Sequence, residues 1–345
     1  MKEIGSEFWE QLEMKKTYLE RAEPENTVNL LSGRTALDFI IRDIKASLTF
    51  RNVMLPSYCC ESMIEPFVRN GITVHFYKLD YQTLVFPVQK DFDAILILDY
   101  FGYEDKKLEE IVKWTKTAGK IVIYDATHKI NGHPAIMKYL NYSFCSYRKW
   151  FYCNYANVTK YTGVFRIQKP KVYHEKYCAL RNQAADLKTS YMQNCNTDKT
   201  LFLKLYDEAE IMLENDYIGY LGKPIMTNLD EIIEIRRENA KFLIRELKSI
   251  PEIRLWKKTI GVNDAPLFMP IFMEFEVRNT LKKYLIKNNI YCPIHWPISN
   301  LHKIDNRENN VYFEELSLVC DQRYGIDDMD REVKVVKDFI GEYKK

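Results

Sequence analysis

Helix-like and strand-like patterns alternate along this chain, and that order predicts an α/β fold. The expected form is a large domain with a mainly parallel mixed sheet between helices, followed by a smaller C-terminal α+β domain. Three observations carry the prediction. From about residue 30 the strand and helix patterns take turns, as they do where parallel strands are joined by helical crossovers. Two strand segments, "DAILILDYFG" at 93–102 and "KIVIYDATH" at 120–128, are apolar almost throughout, which suits strands covered on both faces. Near residue 230 the texture changes to one long amphipathic segment followed by shorter elements. The domain division is placed there, between residues 1–228 and 229–345.

Each element has its own warrant. Leu37, Ile40, Ile41 and Ile44 fall at i, i+3, i+4 and i+7 within 35–47, an amphipathic helix. "NVMLP" at 52–56 is a short strand that a proline stops. Met63, Ile64, Phe67 and Val68 give the next helical face, which Asn70-Gly71 ends. "ITVHFYKLD" is a strand, then come "DAILILDYFG", a helix over "LEEIVKWTKTAG", and "KIVIYDATH" with polar residues only at its carboxyl end. "NLDEIIEIRRENAKFLIRELKSIP" is the long helix, with Asn228 as its N-cap and Pro251 beyond it. "PLFMPIFMEF", "TLKKYLIKNNI" and "DDMDREVKVVKDFIGEY" supply the strand and helices of the smaller domain.

Composition narrows the function classes. The 345 residues include 28% charged side chains that nearly cancel, at a formal net charge of +2, so the basic excess of a nucleic-acid binder is absent. Aromatic content of 14% disfavours disorder. The eight cysteines, at 59, 60, 145, 153, 178, 195, 292 and 320, form no CxxC pair. A chain of this size needs no disulfide framework, so reduced thiols in a cytoplasmic protein are expected. The first residues contain no apolar signal-peptide core, and no run approaches the roughly 18 apolar residues of a membrane span.

Ligands of parallel α/β sheets bind beyond the carboxyl ends of the strands, and three segments stand out there. "LLSGRTALDF" at 30–39 opens a Ser-Gly turn onto a helix start, where free backbone N–H groups hold a phosphate. Gly33 permits the turn and Thr35 offers a hydroxyl; the plainer role for Ser32 is a helix cap. In "IVIYDATH", Asp125 closes a buried strand and is placed to accept a hydrogen bond from a protonated ring nitrogen, with His128 beside it. The alternative is a turn cap and a surface histidine. In "NYSFCSYRKW", Lys149 sits between Tyr147 and Trp150, and aromatic burial would favour the neutral amine that attacks an aldehyde. Arg148 could neutralise a nearby anion. A phosphate, a protonated pyridine and an aldehyde-capturing lysine are together what pyridoxal phosphate (PLP) requires.

The chain resembles the DegT/DnrJ/StrS sugar aminotransferases, members of the fold-type-I PLP enzymes built like aspartate aminotransferase. The resemblance runs from about residue 30 to 335 through "SGRTAL", "VMLPSY", "GITVHFYKLD", "LDYFG", "YDATH", "SYRKW", "NNIYCPIHWP" and "LSLVCDQRY". It implies that Lys149 carries PLP covalently and that Asp125 pairs with the pyridine nitrogen. It places His128 near the phenolic oxygen, the turn of Gly33, Arg34 and Thr35 on the phosphate, and Ser146 (or Ser143) as the serine contact. Tyr58, or alternatively Cys60, falls near the residue that stacks on the ring. His295 and Trp296 fall where the C-terminal domain faces substrate, or form a plain Trp-Pro packing turn. Two family features are absent or indistinct: the Glu-Gly-Gly turn after the lysine reads "WFYCNYANVTKYTG", and no Asn-Arg motif is clear in "YIGYLGKPIMTNLDE".

The resemblance implies ping-pong transfer of an amino group from an amino acid, by family precedent glutamate, to a keto sugar, nucleotide-linked, in polysaccharide or glycoconjugate synthesis. A related branch that dehydrates sugars has histidine at the lysine position, so Lys149 points to transamination. A homodimer with shared active sites is expected, with no nucleic-acid or membrane partner. Two other readings stand beside it: a non-catalytic PLP- or sugar-nucleotide-binding relative on the same scaffold, and an α/β nucleotide-binding enzyme that uses "SGRTAL" without a GxGxxG or P-loop fingerprint.

Overall fold

The computed structural model describes residues 3–9, 24–80, 83–85, 91–170, 174–193, 198–212, 228–302 and 311–343. In chain order its elements are β1 (Ile4–Gly5), β2 (Thr27–Leu30), α1 (Gly33–Lys45), β3 (Asn52–Pro56), α2 (Glu61–Arg69), β4 (Thr73–Asp80), β5 (Thr83–Val85), β6 (Ala94–Leu98), α3 (Lys107–Thr117), β7 (Ile121–Asp125), β8 (Tyr142–Ser146) and β9 (Ala156–Lys160). The chain continues through α4 (Glu175–Met192), α5 (Lys199–Met212), α6 (Leu229–Leu247), β10 (Arg254–Leu255), β11 (Met269–Phe272), α7 (Phe275–Lys287), β12 (Ile290–Tyr291), α8 (Val311–Glu314), β13 (Glu315–Leu318) and α9 (Ile326–Tyr343).

The main sheet has eight strands in the order β2-β9-β8-β7-β6-β3-β4-β5. Strands β8, β7, β6, β3 and β4 run parallel; β9 is antiparallel between β8 and β2, and β5 is an antiparallel edge. The mixed, mainly parallel sheet is therefore present as expected. Every residue of β6 and β7 is buried, which explains their unbroken apolar runs. Three neighbouring strands, β6, β7 and β8, deliver Asp99, Asp125 and Ser146 to one edge.

The smaller sheet, β10-β11-β13, is antiparallel. Helices α6 and α9 pack on each other, and α7 packs on α9. One hydrophobic core draws side chains from both sheets, so the two parts are joined by apolar packing as well as by α6. The N-terminal β1 pairs in parallel with β12 and places residues 3–9 beside the C-terminal part.

Two features depart from the periodicity reading. Helix α1 buries nine of its thirteen residues, including Asp38 and Asp43. Asp38 meets Arg42 at 2.8 Å and Arg69 at 2.5 Å, while Asp43 meets Lys160 at 2.7 Å and accepts from the Tyr142 hydroxyl at 2.7 Å. Its polar side faces neighbouring elements that supply the counter-charges. Helices α4 and α5 form a packed pair without a clear apolar stripe in α4, whose buried set includes Arg181 and Lys188.

Candidate functional site

Lys149 ends a 3-10 turn, Tyr147–Lys149, at the carboxyl end of β8. The next residue pins the turn. Trp150 is fully buried and donates its indole N–H to the Thr127 carbonyl at 2.8 Å, while Gln322 donates to the Trp150 carbonyl at 2.7 Å. With Trp150 locked in the core, the adjacent lysine is directed into a recess. The Lys149 side chain is exposed where two cavities meet, rather than buried among aromatics as its sequence neighbours suggest; desolvation by the surrounding protein, then the neighbouring Arg148, lowers its pKa.

Asp125 closes β7 and is buried. Its Oδ1 accepts the Thr127 backbone N–H at 2.8 Å. Burial raises its pKa from 3.8 to about 6, against hydrogen bonds from Thr127 that pull it down. No basic side chain is bonded to this carboxylate among the described residues. Thr127 also accepts the Ser146 N–H through Oγ1 at 3.1 Å, so one threonine ties the ends of β7 and β8.

His128 Nδ1 accepts the Phe101 N–H at 3.1 Å, which puts the proton of the neutral ring on Nε2. Burial, then His295 and Lys149, drives its pKa well below the usual histidine range, so neutral is its form at physiological pH. Its ring lies 5.5 Å from that of Trp296 and 6.2 Å from that of His295.

At the start of α1, Ser32 and Thr35 form a reciprocal capping box. Ser32 Oγ accepts the Thr35 N–H at 3.2 Å, and Thr35 Oγ1 accepts the Ser32 N–H at 3.0 Å. Thr35 is thereby consumed by the cap and is not among the residues bordering the recess, whereas Gly33 and Arg34 are. Gly33 does not adopt a positive φ. Its value is space: a Cβ there would lie 3.4 Å from Ser146 Cβ and 3.7 Å from Phe144 Cε2. That corrects the expectation that glycine serves the turn.

These pieces meet in one cavity of about 220 Å³, bordered by Gly33, Arg34, Asp125, His128, Ser146, Lys149 and Trp296. Ser146 reaches it, whereas Ser143 instead pairs with the Tyr161 hydroxyl at 3.0 Å. Tyr58 does not reach it: fully buried, it stacks on Tyr100 at 5.6 Å and donates its hydroxyl to the His295 carbonyl. Cys60, two residues later, takes the place at the wall.

His295 borders a second cavity of about 340 Å³ that shares Arg148 and Lys149 with the first. Its backbone N–H donates to Glu315 Oε2 at 2.7 Å, and Nδ1 lies 3.1 Å from Ser317 Oγ. The residues "YIGYLGKPIMTN", where an Asn-Arg motif was sought, lie outside the described residues apart from Asn228.

Sequence reasoning missed several participants. Glu7, which borders the second cavity, pairs with Arg181 at 2.9 Å. Its side chain is half exposed; against desolvation by the protein around it, Arg181, Arg148 and Lys149 hold its pKa at about 2. Arg148 is tied to Glu210 on α5, so its charge is already answered. No local pattern marks residues that meet across 62 and 174 positions.

The residues of the first cavity fit pyridoxal phosphate. The space left at Gly33 faces Ser146 beside a helix start suited to an anion. The buried, cation-free Asp125 suits a protonated ring nitrogen, and Lys149 has the depressed basicity of a nucleophilic amine.

No family model and no curated protein matches this chain. Solved structures match its fold over nearly the whole length. PseC, the Helicobacter pylori aminotransferase involved in biosynthesis of pseudoaminic acid, is 13% identical with a TM-score of 0.64, covering 92% of this chain and 87% of PseC. A DegT/DnrJ/EryC1/StrS aminotransferase from Brucella abortus is 15% identical with a TM-score of 0.59, covering 91% and 85%. NtdA from Bacillus subtilis, with the cofactor PMP bound, is 14% identical with a TM-score of 0.59, covering 91% and 73%. The chain has the fold of these aminotransferases.

Proposed function

We propose that this protein is a PLP-dependent aminotransferase that moves an amino group from an amino acid, glutamate by family precedent, to a keto sugar. One observation carries the reading. Three separate segments, at 33–34, 125–128 and 146–149, bring an anion-binding helix start, a buried unpaired carboxylate and a low-basicity lysine to one cavity. The fold of sugar aminotransferases, shared over nine-tenths of the chain, supports it. A nucleotide-linked acceptor, a role in polysaccharide or glycoconjugate synthesis, a cytoplasmic location and a homodimer with shared sites belong to the same proposal. So does the division into a cofactor-binding part, 1–228, and a small domain, 229–345. Among the described residues, no helix is long and apolar enough to cross a membrane.

In this reading Gly33, Arg34 and Ser146 hold the phosphate, Asp125 keeps the ring nitrogen protonated, and Nε2–H of His128 donates toward the phenolic oxygen. Bound there, pyridoxal phosphate supplies an electron sink for the carbanion formed at the substrate Cα. Lys149 would hold the cofactor, and its Nζ, freed by the donor, would carry the proton taken from the substrate Cα as base and then acid. Trp150 and the turn at Tyr147–Lys149 orient that amine, and Trp296 closes one wall against water.

The deciding experiment is the visible spectrum of protein mixed with pyridoxal phosphate, with and without L-glutamate, beside Lys149→Ala. A band that requires Lys149 and bleaches with glutamate is expected. Absence of a Lys149-dependent band overturns the assignment; a band indifferent to every amino donor leaves a cofactor-binding protein without transferase activity.

A further inference from the structure

Lys149 shares the second cavity with more cations than anions. Arg148 precedes it in sequence, and Arg236 and Lys282 border the same cavity. Two carboxylates border it as well, those of Glu7 and Asp321. Arg323 engages both oxygens of Asp321, at 2.7 and 2.9 Å. Glu7 is engaged through Oε2 alone, by Arg181 at 2.9 Å. Its Oε1 has no hydrogen bond among the described residues, and the side chain is half exposed.

The backbone around Glu7 is held from three sides. β1 pairs with β12. Lys188, on α4, donates to Ser6 Oγ at 2.5 Å and to the Glu7 carbonyl. Arg323 donates to the Ser6 and Glu7 carbonyls at 3.0 and 3.3 Å. Arg181, buried on α4, also donates through Nε to Asn154 Oδ1 at 2.8 Å and lies 3.4 Å from Glu210 Oε1, the oxygen that holds Arg148. Through Arg181, Glu7 is thus joined to both flanks of the Lys149 turn, Arg148 before it and Asn154 after it.

The charges facing Lys149 are unequal in what they have left to give. Desolvation, then Arg148, lowers its pKa, and Glu7, Cys60 and Glu210 act against them. Burial pushes the Cys60 thiol up, so it stays protonated. Glu210 is shared between two arginines. His128, across the first cavity, is neutral, and Asp125 borders that cavity alone. Glu7 is the anion of the second cavity with an oxygen to spare.

We propose that Glu7 is a positioning residue for Lys149, an anion of the N-terminal segment presented to the second cavity so that the amine can keep a proton it has taken up. The role rests on the transaminase reading, in which Lys149 takes a proton from the substrate Cα and holds it until it is returned. Arg148 disfavours the ammonium form, and a carboxylate fixed on the opposite wall offsets that repulsion.

The test reads the amine directly. Acetylation of the cofactor-free full chain by acetic anhydride over a pH series, resolved by peptide, gives the neutral fraction at Lys149, with Lys113 on α3 as internal reference. Glu7→Gln removes the charge and leaves Arg181 an acceptor. The Lys149 midpoint should shift to lower pH in Glu7→Gln and return toward the parent value in Glu7→Asp, while Lys113 stays in place. An unmoved Lys149 midpoint in folded Glu7→Gln overturns the assignment, and so does an equal shift at Lys113. If Glu7→Gln does not fold, Glu7→Ala takes its place in the comparison. A chain that folds with neither makes Glu7 a structural residue, which also overturns the positioning role. Because the labelling needs no cofactor, the two readings fail separately. A shifted midpoint without a Lys149-dependent visible band keeps Glu7 beside the amine and sinks the transaminase; a band with an unmoved midpoint does the reverse.

Discussion

Asp125 and Lys149 carry opposite electrostatic strains, and each yields a pH signature. The Asp125 pKa of about 6 exceeds its unfolded value near 3.8. The folded protein without cofactor therefore loses stability as pH rises through that interval, and the cost is full above pH 6. At 1.36 kcal/mol per unit it is on the order of 1–3 kcal/mol. Asp125→Asn should raise the cofactor-free Tm at pH 8, and the gain should vanish near pH 4, as thermal melts at the two pH values would show. With pyridoxal phosphate added the order should invert, since only the carboxylate holds the ring proton. For Lys149, burial comes first and Arg148 second among the causes that lower its pKa. Arg148→Gln should move the midpoint of cofactor attachment to higher pH; an unmoved midpoint in a pH series of the visible band would show that burial acts alone. Both residues were legible in the sequence because a strand end and an aromatic-flanked lysine are local signals. Glu7 was not, since a glutamate near the start acquires meaning only when β1 meets β12.

At the scale of elements, α1 shows which part of a motif is structure and which is site. The capping box uses Ser32 and Thr35, so Ser32→Ala should cost about 0.5–2 kcal/mol of stability, measured by denaturant unfolding. Gly33 takes no part in the cap. An added Cβ at Gly33 meets its neighbours at 3.4 Å or more, ordinary contact, so Gly33→Ala should keep stability within about 0.5 kcal/mol. It should weaken pyridoxal phosphate binding by filling the space before Ser146; fluorescence titration would separate the two effects, and equal affinity would remove Gly33 from the site. The strongly apolar β6 and β7 were legible from their runs alone. Strands β8 and β9 were harder to see, because β8 carries Ser143 and Cys145 and β9 alternates Asn157 and Thr159 with its buried residues. Helix α4 concealed itself differently. Its inward face holds Arg181 and Lys188, satisfied by Asn154 and Glu7 and by Ser6 and the Glu7 backbone, so a hydrophobic period could not reveal it.

For the molecule as a whole, the site depends on a seam between the main sheet and the C-terminal part. After β6 the chain turns through Phe101 and Gly102 at φ 56° and 87°. There Ala265 donates its N–H to the Gly102 carbonyl at 2.8 Å, and Leu267 donates to the Phe101 carbonyl at 2.8 Å. Those bonds bring Leu267 to the second cavity, and the same turn presents the Phe101 N–H to His128. Sequence patterns gave no sign of this seam, since "YFG" and "APL" carry no mark of pairing across more than 150 positions. Gly102 is the most demanding point in it. A Cβ would fall 1.7 Å from the Ala265 carbonyl oxygen and 2.8 Å from that of His128, and the positive φ adds its own penalty. Gly102→Ala should therefore cost roughly 2–5 kcal/mol, the scale of combined strain and backbone clash. Because the same turn presents the Phe101 N–H to His128, the loss should fall on cofactor affinity even at temperatures where the protein remains folded. Hydrogen exchange should show faster opening at Ala265 and Leu267 than in the centre of β6. A variant with lower Tm but parent-like exchange at those two amides would place the strain elsewhere, and the seam would then not be what holds the two cavities together.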